Sequence, residues 1–413
     1  MRLIHLADLH FGKSMHGLSL LEKGDQAHWV TEFLRLAEEL RPDAVMIAGD
    51  VYDRSAPSGD AVELLSRMLT ALSDLDIPTL LVAGNHDSAQ RLAFAGPLLA
   101  RQKLFISRPL AESPELLHVT LTDEYGPVTF WLMPYVFPAL AAQALGDESL
   151  RDCDTALRVL LQRQNVDFSQ RNVLIAHQNV TAGGREALRG GSETMVGGVG
   201  QVDYTAFDGF DYVALGHIHA ACPVGRDSVR YAGSPLCYHF DEIHQAAKGP
   251  LLVELGAKGE APRIERLPIA PLHPLREMKG AYTTLRDAEL AHPRRGEYLR
   301  LVLTDRRLSP EVVDFFEGLA RERDSVLMDR SSEYDPFSSE VSAPSRSAVE
   351  QKSVGALFAD FYAERSGGEM PTEAELRLLQ AAEELALHED FHLPPSVEAV
   401  ERLLRQLAKE EEA

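Results

Sequence analysis

At 413 residues the chain exceeds one ordinary domain, and 45% hydrophobic with 25% charged content is enough apolar material for a sizeable core. A formal net charge of −22, from 41 Lys and Arg against 63 Asp and Glu, argues on its own against direct binding of nucleic acid, because phosphate contacts need surface cations. Three scattered cysteines, Cys153, Cys222 and Cys237, argue against a disulfide framework and for a reducing, cytoplasmic setting. The strand-like start from Met1 to Ala7 lacks a secretion-signal pattern, and no apolar run reaches membrane-spanning length.

In chain order, short and almost continuously apolar runs predict strands buried on both faces at Leu3 to Ala7, Ala44 to Ala48, Thr79 to Ala83, Asn172 to Ala176 and Asp211 to Leu215. Helical spacing of Trp29, Phe33, Leu36 and Leu40 predicts one intervening helix. Leu64, Leu65, Met68 and Leu72 predict another over Asp60 to Leu72. Alternating strand and helix implies a layered α/β domain, here expected over residues 1–270 around a largely central sheet. Pro268, Pro271 and Pro274 punctuate a linker. A small α/β capping domain is expected over 275–330, with strands at 298–303 and 325–328 and a helix at 310–323. Residues 331–347, rich in Ser, Pro and acid, read as a second linker, and 348–413 as a helical tail. In the tail, Thr372 and Glu375 form a capping-box pattern. Leu376, Leu379 and Leu387, then Val397, Val400, Leu404 and Leu407, mark apolar faces suited to the tail's own domain or to a partner.

Chemistry-bearing residues fall where the first five strands end. These are Asp8 and His10, Asp50 with Asp53, Asn85-His86-Asp87, His177, and His217 with His219. Ligands of open α/β sheets bind beyond the carboxyl ends of strands. Side chains at i and i+2 of an extended segment point the same way, so Asp8 with His10, and His217 with His219, are expected to reach one ion as pairs. Seven candidate ligands (Asp8, His10, Asp50, Asn85, His177, His217 and His219) are too many for one ion and suit two. Mixed imidazole and carboxylate donors favour Mn²⁺, Fe²⁺ or Zn²⁺ over Ca²⁺ or Mg²⁺. Two such ions, ~3.5–4 Å apart, clamp a phosphoryl group and acidify water. His86 is a candidate for steadying the transition state or protonating the leaving oxygen, with Asp87 orienting its ring. Glycines ahead of Asp50, Asn85 and His217 are expected to let the backbone approach the ions closely.

These five motifs resemble the calcineurin-like metallophosphoesterase family, whose pattern is D-x-H, G-D, G-N-H-[DE], H and G-H-x-H. Finer features are similar to its SbcD-type group: Gly49-Asp50-Val51-Tyr52-Asp53 with Ala56-Pro57-Ser58, Met133-Pro134-Tyr135, Ser192-Glu193 with Gly197-Gly198, and Tyr231 to Pro235 ahead of Phe240-Asp241-Glu242. The likeness implies an α/β metallophosphoesterase sandwich. It also implies a DNA nuclease with two Mn²⁺ (Mg²⁺, Fe²⁺ or Zn²⁺ as alternatives), Asp50 bridging and His86 catalytic. The expected activities are 3′–5′ double-strand exonuclease and single-strand endonuclease, in DNA repair and recombination. The implied partners are double- and single-stranded DNA and an SbcC-type coiled-coil ATPase held by the tail, around a homodimer within a heterotetramer. The helix expected over Asp60 to Leu72 is a candidate dimer face by the same likeness. Asp53 stands where archaeal and eukaryotic relatives carry His, which leaves its role open. Arg185 and Arg189 are candidate phosphate contacts or simply part of a solvated Gly-rich loop. A phosphomonoesterase or cyclic-nucleotide phosphodiesterase of the same fold fits the acidity. A non-catalytic scaffold leaves the full ligand set without a chemical purpose.

Overall fold

The computed structural model describes residues 1–186 and 200–334, together with Phe358, Ala359, Tyr362, Ala363, Met370 to Thr372 and Leu376. The chain forms two units, Met1–Ser332 and Glu333–Ala413. The five motif-bearing strands are β1 (Arg2–Leu6), β2 (Ala44–Ala48), β3 (Thr79–Val82), β4 (Arg171–His177) and β5 (Tyr212–Gly216).

They do not share one central sheet. β1, β2 and β3 run parallel within a six-stranded sheet closed by Leu104–Ile106 on one side, and by Leu251–Glu254 and Arg263–Arg266 on the other. β4 and β5, also parallel, belong to a second six-stranded sheet with Leu117–Asp123, Gly126–Met133, Arg226–Tyr231 and Pro223–Val224. Side-chain alternation explains the sandwich. Leu3, Met46, Leu80 and Val82 face Phe130, Val173, Ile175, Tyr212 and Ala214 in an inter-sheet core. The alternate residues Ile4, Leu6, Val45, Ile47 and Leu81 turn outward onto the helices α1 (Asp25–Leu40) and α2 (Gly59–Asp74). On the far side, Leu174, Ala176, Val213 and Leu215 pack on Leu157 and Leu160 of α3 (Cys153–Gln162). A continuous apolar run has both faces covered, which hides from the sequence which sheet it joins.

α1 begins a turn before Trp29, and its opening residues Asp25 and Gln26 are polar yet buried. α2 opens on Ser58, whose side chain accepts from the Ala61 N–H at 3.3 Å, and buries Leu64, Leu65, Met68 and Leu72.

Residues 275–332 form a parallel three-stranded layer. Its centre is β7 (Tyr298–Leu303), flanked by β6 (Leu275–Gly280) and β8 (Val326–Ser332), with helices α4 (Tyr282–Ala291) and α5 (Pro310–Glu322). β6 and α4 carry too few apolar residues to be read from periodicity. β6 is an edge strand reading Leu-Arg-Glu-Met-Lys-Gly, and only Met278 is buried. Arg276 instead pairs with Glu289 of α4 and with Glu297. Ser331 and Ser332, expected in a linker, end β8. Tyr298 of β7 donates its hydroxyl to Asp25 of α1 at 2.7 Å, and His273 Nδ1 lies 2.9 Å from the other oxygen of that carboxylate. These contacts tie the small layer to the sandwich. In the tail, the Leu376 N–H donates to the Thr372 carbonyl at 3.1 Å, while Glu375 and the apolar positions from Leu379 onward lie outside the described residues. No helix among the described residues is long and apolar enough to cross a membrane.

Candidate metal centre

Parallel pairing brings the carboxyl ends of β1, β2 and β3 out at one edge, and those of β4 and β5 beside them. The loops after β1 and β2 stay zipped: Asp8 N–H donates to the Gly49 carbonyl and His10 N–H to that of Asp50, at 3.0 and 2.9 Å. Four of the seven candidate ligands have positive φ, namely Asp8 at 54°, His10 at 43°, Asp50 at 48° and His217 at 108°. Non-glycine residues persist in such conformations only when their surroundings over-determine them, and they cluster at functional sites. The glycines beside them serve close approach. A Cβ on Gly84 would lie 2.1 Å from Asp50 Oδ1, and one on Gly216 would lie 1.9 Å from the Ala48 carbonyl oxygen.

The side chains converge in two halves. Asp8, His10 and His219 form one, with His10 Nε2 and His219 Nε2 3.2 Å apart. Asn85, His177 and His217 form the other, with Asn85 Oδ1 3.1 Å from His177 Nε2 and 3.2 Å from His217 Nδ1. Asp50 stands between them, its Oδ2 lying 3.6 Å from His10 Nε2 and 3.3 Å from His177 Nε2. His217 and His219 therefore part company, against the expectation that they would act as a pair. The turn at His217 breaks the extended two-residue period and the two rings enter opposite halves, whereas Asp8 and His10, which also leave the extended conformation, share one half.

This arrangement fits divalent cations. His177 Nδ1 lies 2.8 Å from the Ala48 carbonyl and is its donor, so Nε2 is the nitrogen aimed at the oxygens of Asn85 and Asp50, and without a proton there it presents a lone pair. Asp8 Oδ2 is buried with no hydrogen-bond partner, while Oδ1 accepts from the His217 N–H at 2.9 Å. Lone pairs facing lone pairs need positive charge among them. The titration behaviour says the same. Burial works against charging His177, yet the Asp50 and Asp8 carboxylates push it up to about 9. Burial raises Asp8 to about 6, and lowers His10 to about 4 and His217 to about 3. Asp50 is buried too, but the adjoining histidines, His177 foremost, hold it far below the usual carboxylate range. A proton on His177 occupies the place a cation would take.

His86 adjoins this cluster. Its N–H donates to Asp50 Oδ1 at 2.9 Å, its Nδ1 lies 2.9 Å from the Asp53 carbonyl oxygen, and its Nε2 lies 4.0 Å from Asp50 Oδ2. The ring is held by that backbone carbonyl and not by Asp87, which points elsewhere. The Asp87 carboxylate accepts from the N–H groups of Val51, Tyr52 and Gly84, bracing the loops after β2 and β3 against each other. Asp53 turns its side chain toward Lys13 Nζ at 2.8 Å and His10 Nδ1 at 3.6 Å. Arg185 lies in the two-residue strand Arg185–Glu186, paired with Thr181 and Ala182, and its side chain is outside the described set. Arg189, Ser192-Glu193 and Gly197-Gly198 also lie outside the described residues.

Sequence reasoning missed the residues packed behind the cluster. Gln26 donates to the His10 carbonyl at 2.8 Å and accepts from the Gly12 N–H. Tyr238 donates to the Leu9 carbonyl at 2.6 Å and lays its ring beside both His10 and His219. Glu242, within the Phe240-Asp241-Glu242 segment, approaches His219, and Lys248 joins it. The one trace of these in the sequence was the Phe240-Asp241-Glu242 segment, which carried no role there.

Comparison with known proteins agrees with this geometry. The family model described as calcineurin-like phosphoesterase matches residues 1–221. The SbcD subunit of nuclease SbcCD from Staphylococcus epidermidis is 30% identical over 309 residues, covering 74% of this chain and 79% of that protein. The protein of the same name from Staphylococcus saprophyticus is 30% identical over 304 residues, covering 73% and 78%. A crystal structure of TT1561 from Thermus thermophilus is similar at 13% identity and a TM-score of 0.33, over 56% of this chain and 89% of that one, too distant to bear on function. With its motifs, α/β sandwich and these relatives in agreement, the chain belongs to the calcineurin-like phosphoesterase family of metal-dependent hydrolases, within the group of SbcD nuclease subunits.

Proposed function

We propose that this chain is a manganese-dependent DNA nuclease, cutting phosphodiester bonds in repair and recombination as the nuclease subunit of an SbcCD-type complex. The observation that carries the reading is the convergence of Asp8, His10, Asn85, His177, His217 and His219 around Asp50. In this reading Asp8, His10 and His219 would hold one cation and Asn85, His177 and His217 a second, with Asp50 placed between them to serve both. Bound there, divalent ions supply Lewis acidity toward a phosphoryl oxygen and lower the pKa of water.

The chain's own residues do the rest. The Ala48 carbonyl fixes the His177 tautomer, and the strained turns fix where the carboxylates point. His86, its side chain 40% exposed and its Nδ1–H donated to a carbonyl, presents Nε2 at the rim; in its doubly protonated form the ring would steady the phosphorane-like charge and give the Nε2 proton to the departing oxygen, returning to neutral imidazole. The full reading includes 3′–5′ exonuclease action on duplexes and endonuclease action on single strands. It also includes a homodimer within a heterotetramer and an SbcC-type ATPase bound by the tail, which supplies phosphate-binding surface that offsets this chain's net charge of −22. An apolar groove supports the dimer: Leu65 and Leu69 of α2 line it with the exposed Val62 and Phe94.

Cleavage of an end-labelled linear duplex tests the reading. Wild-type protein with Mn²⁺ should give a product ladder that His86→Gln does not. Turnover of a small phosphomonoester or cyclic nucleotide with intact DNA would instead favour the phosphatase-type alternative, which the acidic surface keeps in play.

A further inference from the structure

Behind two of the site's histidines stand two carboxylate–lysine pairs built alike. Glu242, 1% exposed, places one oxygen 3.6 Å from His219 Nδ1 and the other 2.7 Å from Lys248 Nζ. Lys248 also donates to the carbonyl of His219 itself at 2.7 Å and to Ser234 Oγ at 3.0 Å, so one ion pair holds the backbone of that histidine and sets a carboxylate facing its ring. Asp53 repeats the pattern behind His10, with Oδ1 3.6 Å from His10 Nδ1 and 2.8 Å from Lys13 Nζ. His10 Nδ1 and Asp53 Oδ1 are both buried without a hydrogen bond of ordinary geometry, and they face each other. In the other half the hydrogen-bond partner of His177 Nδ1 is neutral, the Ala48 carbonyl at 2.8 Å, with Asp8 Oδ1 farther off at 3.9 Å, and Asn85 is an amide.

We propose that Glu242 and Asp53 are positioning residues that hold His219 and His10 with Nδ1 protonated and Nε2 turned inward, making the Asp8–His10–His219 half the tighter of two unequal cation sites. The inference rests on the two-cation reading above and goes beyond it. A carboxylate that accepts the outer N–H of an imidazole fixes its orientation and strengthens the inner nitrogen as a donor, and a neutral carbonyl does this less. The lysines keep each carboxylate outside the ligand set by neutralising it where it stands. The role also accounts for an acid at position 53, which supports a ligand from behind.

Calorimetric titration of Mn²⁺ into the metal-free full-length chain tests this without reference to activity. Wild type should show two binding events of unequal affinity. Glu242→Gln and, independently, Asp53→Asn should each weaken the tighter event by about 10- to 100-fold and leave the weaker one in place. Asp53 lies nearer the surface, so its variant serves if Glu242→Gln does not fold. Equal wild-type events overturn the inference, as do variants whose two events are both unchanged or both weakened alike. A wild-type chain that binds no Mn²⁺ would instead remove the two-cation reading beneath it.

Discussion

A single methyl group placed at Gly84 gives a severe and local test of the site. A Cβ there would lie 2.1 Å from Asp50 Oδ1 and 2.3 Å from the Asp50 nitrogen, whereas ordinary contact begins at 3.4 Å. Relief requires the carboxylate to move by at least 3.4 − 2.1 = 1.3 Å. Gly84 itself lies outside the left-handed region, so Gly84→Ala acts through this clash and not through backbone strain. Displacing a catalytic group by about 1 Å costs on the order of 10²-fold in rate. The expected result is a kcat for Mn²⁺-dependent cleavage lower by roughly that factor, in a protein whose circular dichroism is unchanged. Gly59→Ala, at a position with open space, is the matched control and should be silent. A folded Gly84→Ala protein that cuts at the wild-type rate would refute the placement of Asp50 at the centre of the chemistry.

Other substitutions separate roles within the same molecule. His86→Gln should retain both cations by elemental analysis and lose most turnover, since that ring sits on the Asp53 carbonyl at the rim of the site; metal loss in that variant would contradict a purely chemical role. Asp50→Asn should weaken both Mn²⁺ binding events, because Asp50 approaches histidines of both halves, and an unchanged occupancy would remove it from the bridge. Tyr298→Phe deletes a hydrogen bond to the buried Asp25 carboxylate and should cost about 2 kcal/mol in urea unfolding, with an unchanged midpoint counting against that tie. The Arg171 guanidinium beside Asp123 holds that carboxyl well below the usual range, so the pair stabilises the fold above the unfolded pKa of about 3.9 and fades as pH falls below it. Asp123→Asn should therefore cost on the order of 3 kcal/mol at neutral pH and progressively less in acid, and a penalty independent of pH would contradict the pairing.

The site's chemistry was more legible in the sequence than its architecture. Asp8, His10, Asp50, Asn85, His177, His217 and His219 stand out because each follows an apolar run and because metal chemistry demands those side chains. The runs themselves say nothing of sheet membership, since strands covered on both faces look alike whichever layer they join, and so the split of β1–β3 from β4–β5 was hidden. Pairing within the site was misread where His217 leaves the extended conformation, a local strain that no two-residue period reveals. β6 and α4 escaped because ion pairs such as Arg276 with Glu289 hold them where apolar residues hold other elements. The positions of Glu242, Lys248, Gln26 and Tyr238 behind the cluster escaped because contact between segments remote in sequence is a three-dimensional relation.

The proposed function has two cations in this one cluster cutting DNA. Its most direct test is to titrate Mn²⁺ into the metal-free chain while following cleavage of an end-labelled linear duplex in the same solution. Cleavage is expected to stay at background until the tighter site is filled and to rise as the second equivalent binds. Cleavage that persists in excess chelator, or that reaches its full rate at one ion per chain, would contradict it.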